Sequence, residues 1–398
     1  MVFPFLIISA QNLSSSTIDF AAPRGIYRAD VTTCSDKDRD LYQAIFQGYL
    51  SIRKKEFDVS ILGGQWQQVG KELHLKVGKF MDNNLHNSKS KFNDRSFFFG
   101  LTLEILPNGD LVLHPAKGMV MTSKLTFRRV VPIKTVDALD QISKIDFEKK
   151  DYQFSLGWAI SNQIFETKNE TAPQMLEVLK SDAPFAIRRE ASFCLWGARS
   201  DAVVKTIGEM LLAQPVTKDK ETLMMARSLA TGLEQSHHPA AAYYGIKAFR
   251  KGKIREYDAS KIIGSSTNPD GIAFLYEVAD KATGKSLTYV LENMRNLSKS
   301  DGLALAKRFE NDPNNDIHFE VVRALAETEM TQAKRIEASK QLIGLFPKVD
   351  WMKQCDIAKS LGNANNPVAR RGLLKISGLG SDAAVQRWID MALAKYKN

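Results

Sequence analysis

The chain is poor in the residues that staple a fold or hold a metal. Its 398 residues include three cysteines, Cys34, Cys194 and Cys355, far apart and odd in number. Complete internal pairing is therefore excluded. With no CxxC, neither a zinc ribbon nor thioredoxin-type redox chemistry has its usual signature. Cys194 and Cys355 fall in apolar helical patterns, which predicts buried free thiols. Histidine numbers six, never spaced as HExxH or HxxxH, so the helical zinc-protease pattern is absent. His237-His238 sits at a turn and reads as a solvated pair, while His74 and His114 fall in strand patterns whose register the sequence does not fix. No GxSxG elbow, GxGxxG or Cys/His nucleophile signature occurs. Long apolar runs are missing too, and a bilayer span needs about 20 residues.

Two partial motifs fail on single positions. Thr283-Gly-Lys-Ser286 ends like a phosphate loop, but Ala279 stands where that loop requires Gly, and no strand pattern precedes it. Asp36, Asp38 and Asp40 have the first spacing of a calcium loop, yet Leu41 and Gln47 occupy the Gly and Glu positions. Asp312, Asn314 and Asp316 fail likewise, at Ile317 and Arg323. Both runs read as carboxylates placed at helix N-termini, where the dipole favours them. No metal or cofactor is expected, and no catalytic motif supports enzymatic activity.

What is present is an uneven charge and two kinds of periodicity. Lys and Arg number 55 against 45 Asp and Glu, a net of +10. Residues 51–150 carry 17 basic against 11 acidic residues and residues 351–398 carry 8 against 3, while residues 151–350 are neutral. Such basic regions attract polyanions, acidic proteins or anionic membranes. At the N-terminus, Val2 to Ala10 is apolar, ends in a small residue and precedes a polar Gln-Asn-Leu-Ser-Ser-Ser run. This resembles a secretory signal, although no Lys or Arg precedes Arg24. Residues 1–20 are thus expected to be signal-like or a buried strand. Export to a periplasmic or extracellular space is favoured, with the cytoplasm as alternative.

Residues 21–136 read as a strand-rich α+β domain. Ser35 with Asp38 caps a helix over about 36–52, whose apolar residues are Leu41, Ile45, Phe46 and Leu50. Glu72 to Phe80 alternates as a strand. Phe97 to Leu106 and Leu111 to His114 flank Pro107-Asn-Gly-Asp110, where Asn-Gly predicts a tight hairpin with positive φ angles. Phe97-Phe98-Phe99 reads as packing within that strand. Thr122 to Ile133 is a further strand, and 81–94 a polar, Asn-rich loop.

From about residue 137 the period becomes 3.6. Fourteen helices are expected, at 171–181, 184–198, 201–213, 219–235, 238–250, 254–264, 269–281, 284–297, 300–310, 315–328, 331–346, 350–362, 367–378 and 381–396. Their two- to six-residue turns imply antiparallel pairs stacked in a row, about seven over residues 137–398. Trp196, Trp351 and Trp388 lie in apolar stripes and read as core.

Several pairs share wording. Asp182-Ala-Pro184 leads into Ile187-Arg-Arg-Glu-Ala191, Asp312-Pro313 into Val321-Val-Arg323-Ala-Leu325, and Asn366-Pro367 into Val368-Ala-Arg370-Arg-Gly-Leu373, while His238-Pro239 opens another helix. This pattern resembles HEAT-type helical repeats over about residues 170–397, in a degenerate form, with successive Pro spacings of 55, 74 and 54. The resemblance implies an α-solenoid that holds an extended partner along one face. Arg188, Arg189, Arg370 and Arg371 fall at similar places in two repeats. With Lys353, Lys359, Lys375 and Arg387 they are the candidate binding residues for acidic side chains or phosphates. The leading expectation is a non-enzymatic scaffold that binds a protein partner. Nucleic-acid binding through the basic faces, or a lipid or lipoprotein role, are the alternatives.

Overall fold

The computed structural model describes residues 16–19, 23–46, 48–54, 56–59, 62–80, 99–115, 122–130, 132–149, 152, 155–379 and 382–396. The apolar start, the 81–94 loop, Phe97, Phe98 and His86 lie outside them. The chain divides into two compact units, Met1–Ala198 and Arg199–Asn398.

In the first unit, strand β1 (Thr17–Ile18) is followed by β2 (Gly25–Asp30), helix α1 (Asp36–Ile45), β3 (Tyr49–Ile52), β4 (Glu56–Val59), β5 (Leu62–Val69), β6 (Glu72–Phe80), β7 (Phe99–Ile105), β8 (Leu111–Leu113), β9 (Leu125–Arg129) and β10 (Ile133–Lys134). Strands β2 to β9 form a closed antiparallel barrel in sequence order, with β9 returning to pair with β2. Closure removes both sheet edges. Alternation dictates its filling: Leu73, Leu75, Leu101, Leu103, Leu111, Leu113, Leu125 and Phe127 are all buried in one cluster. The register sets Leu73 against Leu103, Leu103 against Leu113, and Leu111 against Phe127. These three ladders bring apolar side chains of neighbouring strands together on the inner face.

Helix α1 ends at Ile45, seven residues short of the sequence expectation. Gly48, at φ 78°, turns the chain, and Leu50 and Ile52 enter the barrel as strand residues. The hairpin at 105–111 also departs from expectation. Gly109 has positive φ (84°) but Asn108 does not. Pro107 pre-sets the first central φ of a type I turn, closed by Gly109 N–H donating to Leu106 O at 2.9 Å. Glycine then supplies the left-handed residue.

Helix α1 is fastened to the barrel by one carboxylate. Asp38 Oδ2 accepts from Ser123 N and Oγ, both at 2.7 Å, and from Thr122 N at 2.8 Å and Oγ at 3.2 Å. Beside it Tyr42 is buried and donates to Ser123 O. Burial pushes the Tyr42 phenol up to about 12. The second fastening comes from helix α3. After α2 (Thr135–Ser143) come α3 (Leu156–Glu166), α4 (Lys168–Lys180) and α5 (Phe185–Cys194). Gln163 of α3 is fully buried, and its Nε2 donates to Ile52 O at 2.7 Å and Gly25 O at 3.0 Å. These are backbone acceptors at the ends of β3 and β2, so a single side chain ties the helix to the barrel rim. Helices α2 and α3 have no counterpart among the fourteen expected helices.

The second unit is all helical: α6 (Asp201–Ala213), α7 (Lys220–Ser236), α8 (Pro239–Arg250), α9 (Glu256–Ser265), α10 (Asp270–Ala279), α11 (Gly284–Leu297), α12 (Lys299–Arg308), α13 (Asn315–Thr328), α14 (Gln332–Leu345), α15 (Trp351–Ala364), α16 (Pro367–Ile376) and α17 (Ala383–Ala394). Consecutive helices pair, and the odd-numbered ones also pack side by side, α7 on α9 through to α15 on α17. Capping explains the boundaries. Ser200, Asp219, Asn314, Asp350, Asn366 and Asp382 each accept a backbone N–H from the first turn of their helix. This satisfies donors the helix itself cannot.

A buried ionic ladder crosses the odd row. Arg295 of α11 meets Glu327 and Glu320 of α13. Arg323 of α13 meets Glu320 at 2.6 Å and Asp356 of α15 at 3.2 Å, and its Nε donates to Ser360 Oγ at 3.1 Å. Burial pushes the Glu327 carboxyl up, but the Arg295 guanidinium and hydrogen bonds from Ser360 and Asn363 outweigh it and hold the group below its ordinary value. Removing one member of such a pair costs about 3–5 kcal/mol, because the partner is left charged and unpaired in the interior.

The Asp38 contact gives a pH test. The Ser123 hydroxyl, then the Thr122 amide, hold its carboxyl far below the ordinary carboxylate range, against the opposing effect of burial. Its folded pKa lies below the unfolded value of about 3.9, so the unfolded chain binds the extra proton between the two. The stabilisation is complete above the unfolded value and is lost as pH falls toward the folded one. In urea titrations, the stability gap between the native chain and Asp38→Asn is expected to narrow steadily below about pH 4. A gap independent of pH would assign the fastening elsewhere.

Candidate partner-binding surface

The candidate cations separate into engaged and free groups. Arg189 pairs with its neighbour Glu190 at 2.9 Å and lies 5.6 Å from the Phe193 ring. Arg188 is half-buried beside it on α5. Lys353 pairs with Asp316 at 2.5 Å and sits 5.6 Å from the Phe319 ring, joining α15 to α13. Lys359 is half-buried on α15. Arg370, Arg371 and Lys375 on α16 and Arg387 on α17 are exposed, and none has a side-chain hydrogen bond or ion pair among the described residues. Four of the eight are thus exposed and unengaged among the described residues, all on the last helical hairpin.

Local sequence explains why this hairpin turns those cations outward. Asn365, at φ 46°, ends α15, Asn366 caps α16 by accepting from Ala369 N at 2.8 Å, and Pro367 stands at its first position. Ala369, Gly372, Leu373 and Ile376 then face the core, leaving Arg370, Arg371, Leu374 and Lys375 outside. On α17, Val385, Ile389 and Ala392 are buried against the row. Its other face carries Ala383, Ala384, Arg387, Trp388 and Met391, which line a groove of about 600 Å³. Trp388 is 38% exposed, Met391 49%, and Leu374 56%. Trp351, on α15, is 50% exposed. Neither Trp351 nor Trp388 is core as expected, because an apolar stripe marks a face that wants cover and not whether a neighbour exists. Trp196 is half-buried.

No protein-family model matches the chain, and no curated protein matches it. Among solved structures it is similar to the complex of CpcE and CpcF of phycocyanin lyase from Nostoc sp. PCC7120, at 18% identity and a TM-score of 0.41, over 56% of this chain and 95% of that one. Human deoxyhypusine hydroxylase is similar at 13% identity and a TM-score of 0.27, over 66% and 97%. An engineered protein is similar at 14% identity and 0.28, over 66% and 78%. Similarity this distant assigns no activity.

The remaining sequence candidates fall into structural roles. His238 caps α8, its Nδ1 accepting from Ala240 N at 3.2 Å, while Nε2 lies 2.8 Å from Asp201. His237 closes α7 at φ 49°. His74 lies beside Glu72 at 3.3 Å and His114 beside Glu104 at 2.8 Å. Among the described residues, no three His, Cys, Asp or Glu side chains come together as metal ligands. Burial, reinforced by Glu190, pushes the Cys194 thiol up to about 12, far from the range in which a thiolate attacks. Thr283 is the residue before α11, and Gly284 to Ser286 form the first turn of that helix. No helix among the described residues is long and apolar enough to cross a membrane. The ladder residues Arg295, Glu320 and Glu327 were not singled out by sequence. Arg323 stood in the Val-Arg wording of the repeats, the one local signal of the ladder.

The two faces of α17 respond differently to substitution. Ile389→Ala removes a fully buried side chain and is expected to lower the unfolding free energy by about 2–5 kcal/mol. Met391→Glu on the open face is expected to change it by less than about 0.5 kcal/mol. Denaturant titration of the two variants checks this. Equal losses would mean that the open face is packed.

Proposed function

We propose that the protein is a non-enzymatic binding or scaffold protein whose helical unit holds a protein partner. One observation carries this reading. The helical unit neutralises its interior charges in a ladder, yet exposes four cations, unpaired among the described residues, on its last hairpin, and one of them, Arg387, lines a groove with Trp388 and Met391. Apolar side chains at the centre of a patch with Arg groups around them are the composition of a protein-binding surface. The exposed basic groups of α16 and α17 extend the positive excess of residues 351–398. Carboxylates of a partner fit them by charge-assisted hydrogen bonds. Arg188 and Arg189 remain candidates for further contact.

Charge reversal tests the reading. In the combined variant Arg370→Glu, Arg371→Glu, Lys375→Glu, recovery of partner proteins from the native cell is expected to fall by about tenfold or more, with thermal unfolding unchanged. Recovery equal to that of the native chain would remove this surface from consideration. Recovery by the native chain that is lost on nuclease treatment and falls steeply as salt rises would favour the nucleic-acid reading instead.

A further inference from the structure

We infer that the occupant of the α17 groove is an acidic amphipathic helix of a partner protein, which lies along the open face of α17. The inference rests on the protein-binding reading of this hairpin and names the chemistry of the partner. Within the row, each odd helix up to α15 is covered by the next, and α17 is covered by none among the described residues. Its open face repeats the pattern that such a neighbour requires: Ala384, Trp388 and Met391 lie at i, i+4 and i+7 along the groove. This is the stripe that a helix reads when it lies in an apolar groove.

Charge supplies the second argument. Along the ladder, Arg295 of α11 meets carboxylates of α13, and Arg323 of α13 meets Asp356 of α15. In both of these pairs the cation of one helix is met by an acid of the next. Arg387, with Arg370, Arg371 and Lys375 close in sequence on the same hairpin, has no such acid among the described residues, and carboxylates on a docked helix complement it. A second copy of this chain would set the same cations against themselves. A nucleic acid would satisfy the charges, but single-strand sites interleave cations with several aromatic platforms. In this groove one Trp stands among Ala and Met.

The test is fluorescence anisotropy of the full chain with four labelled probes. They are a peptide of about 18 residues with Leu at helical spacing and Glu on the other face, a scramble of the same composition, oligoglutamate, and an oligo-dT strand. The amphipathic peptide is expected to bind at least about tenfold more tightly than the scramble and the oligoglutamate. Met391→Glu and Arg387→Glu, both at exposed positions, are each expected to weaken it about tenfold without changing the unfolding midpoint. Equal binding of the scramble, tighter binding of oligo-dT, or variants that bind as the native chain does would each overturn the inference. If charge reversal on α16 releases the native partner while the peptide fails to bind, this inference falls and the protein-binding reading stands.

Discussion

A helix in a stacked row has two apolar flanks and therefore needs two neighbours. In the helical unit this constraint governs almost everything. It sets the alternation of helices, keeps the turns short, and draws charged side chains inward only where a neighbour supplies the opposite charge. Each helix cannot hide its apolar surface alone, so stability accrues from the interfaces between helices. The same constraint makes the open face of α17 conspicuous, since no helix among the described residues packs on it. Gly362 shows how tight the served flank is. A Cβ there would lie 2.8 Å from Ala392 Cβ, so α15 and α17 approach closely only because that methyl is missing.

The barrel solves the corresponding problem by closing on itself. Its strands need no further neighbour, and its polar fastenings, Asp38 to Ser123 and Gln163 to Ile52, hold helices against it. The two architectures differ in what they leave available for binding. A closed ladder presents no unpaired strand edge, whereas α17 presents an exposed face that carries Trp388 and Met391 with Arg387. The functional reading follows from that contrast.

Much of the helical unit was legible in the sequence, because its signals are local. Helices over 201–213, 284–297 and 315–328 coincide with α6, α11 and α13, since caps such as Ser200 and Asn314 and the 3.6-residue stripe both act within one turn. Strand β6 was legible by alternation in the same way. Barrel closure was not, because pairing β9 with β2 joins residues about a hundred positions apart, and no local pattern encodes that register. Helix α1 was overextended because Leu50 satisfies both a helical and an alternating pattern, and Gly48 decides between them. At the surface, Arg370, Arg371, Lys375 and Arg387 were legible as candidates. That Lys353 and Arg189 are spoken for by Asp316 and Glu190 depends on packing.

The central claim is that the unserved flank of the last helix is the place where a partner sits. Hydrogen exchange of the full chain, with and without the partner recovered from its native cell, tests it most directly. Bound partner should slow exchange across residues 367–394 and leave the barrel strands as they are in the free chain. Protection confined to the barrel, or spread over the first helices of the unit with none at α17, would contradict the account.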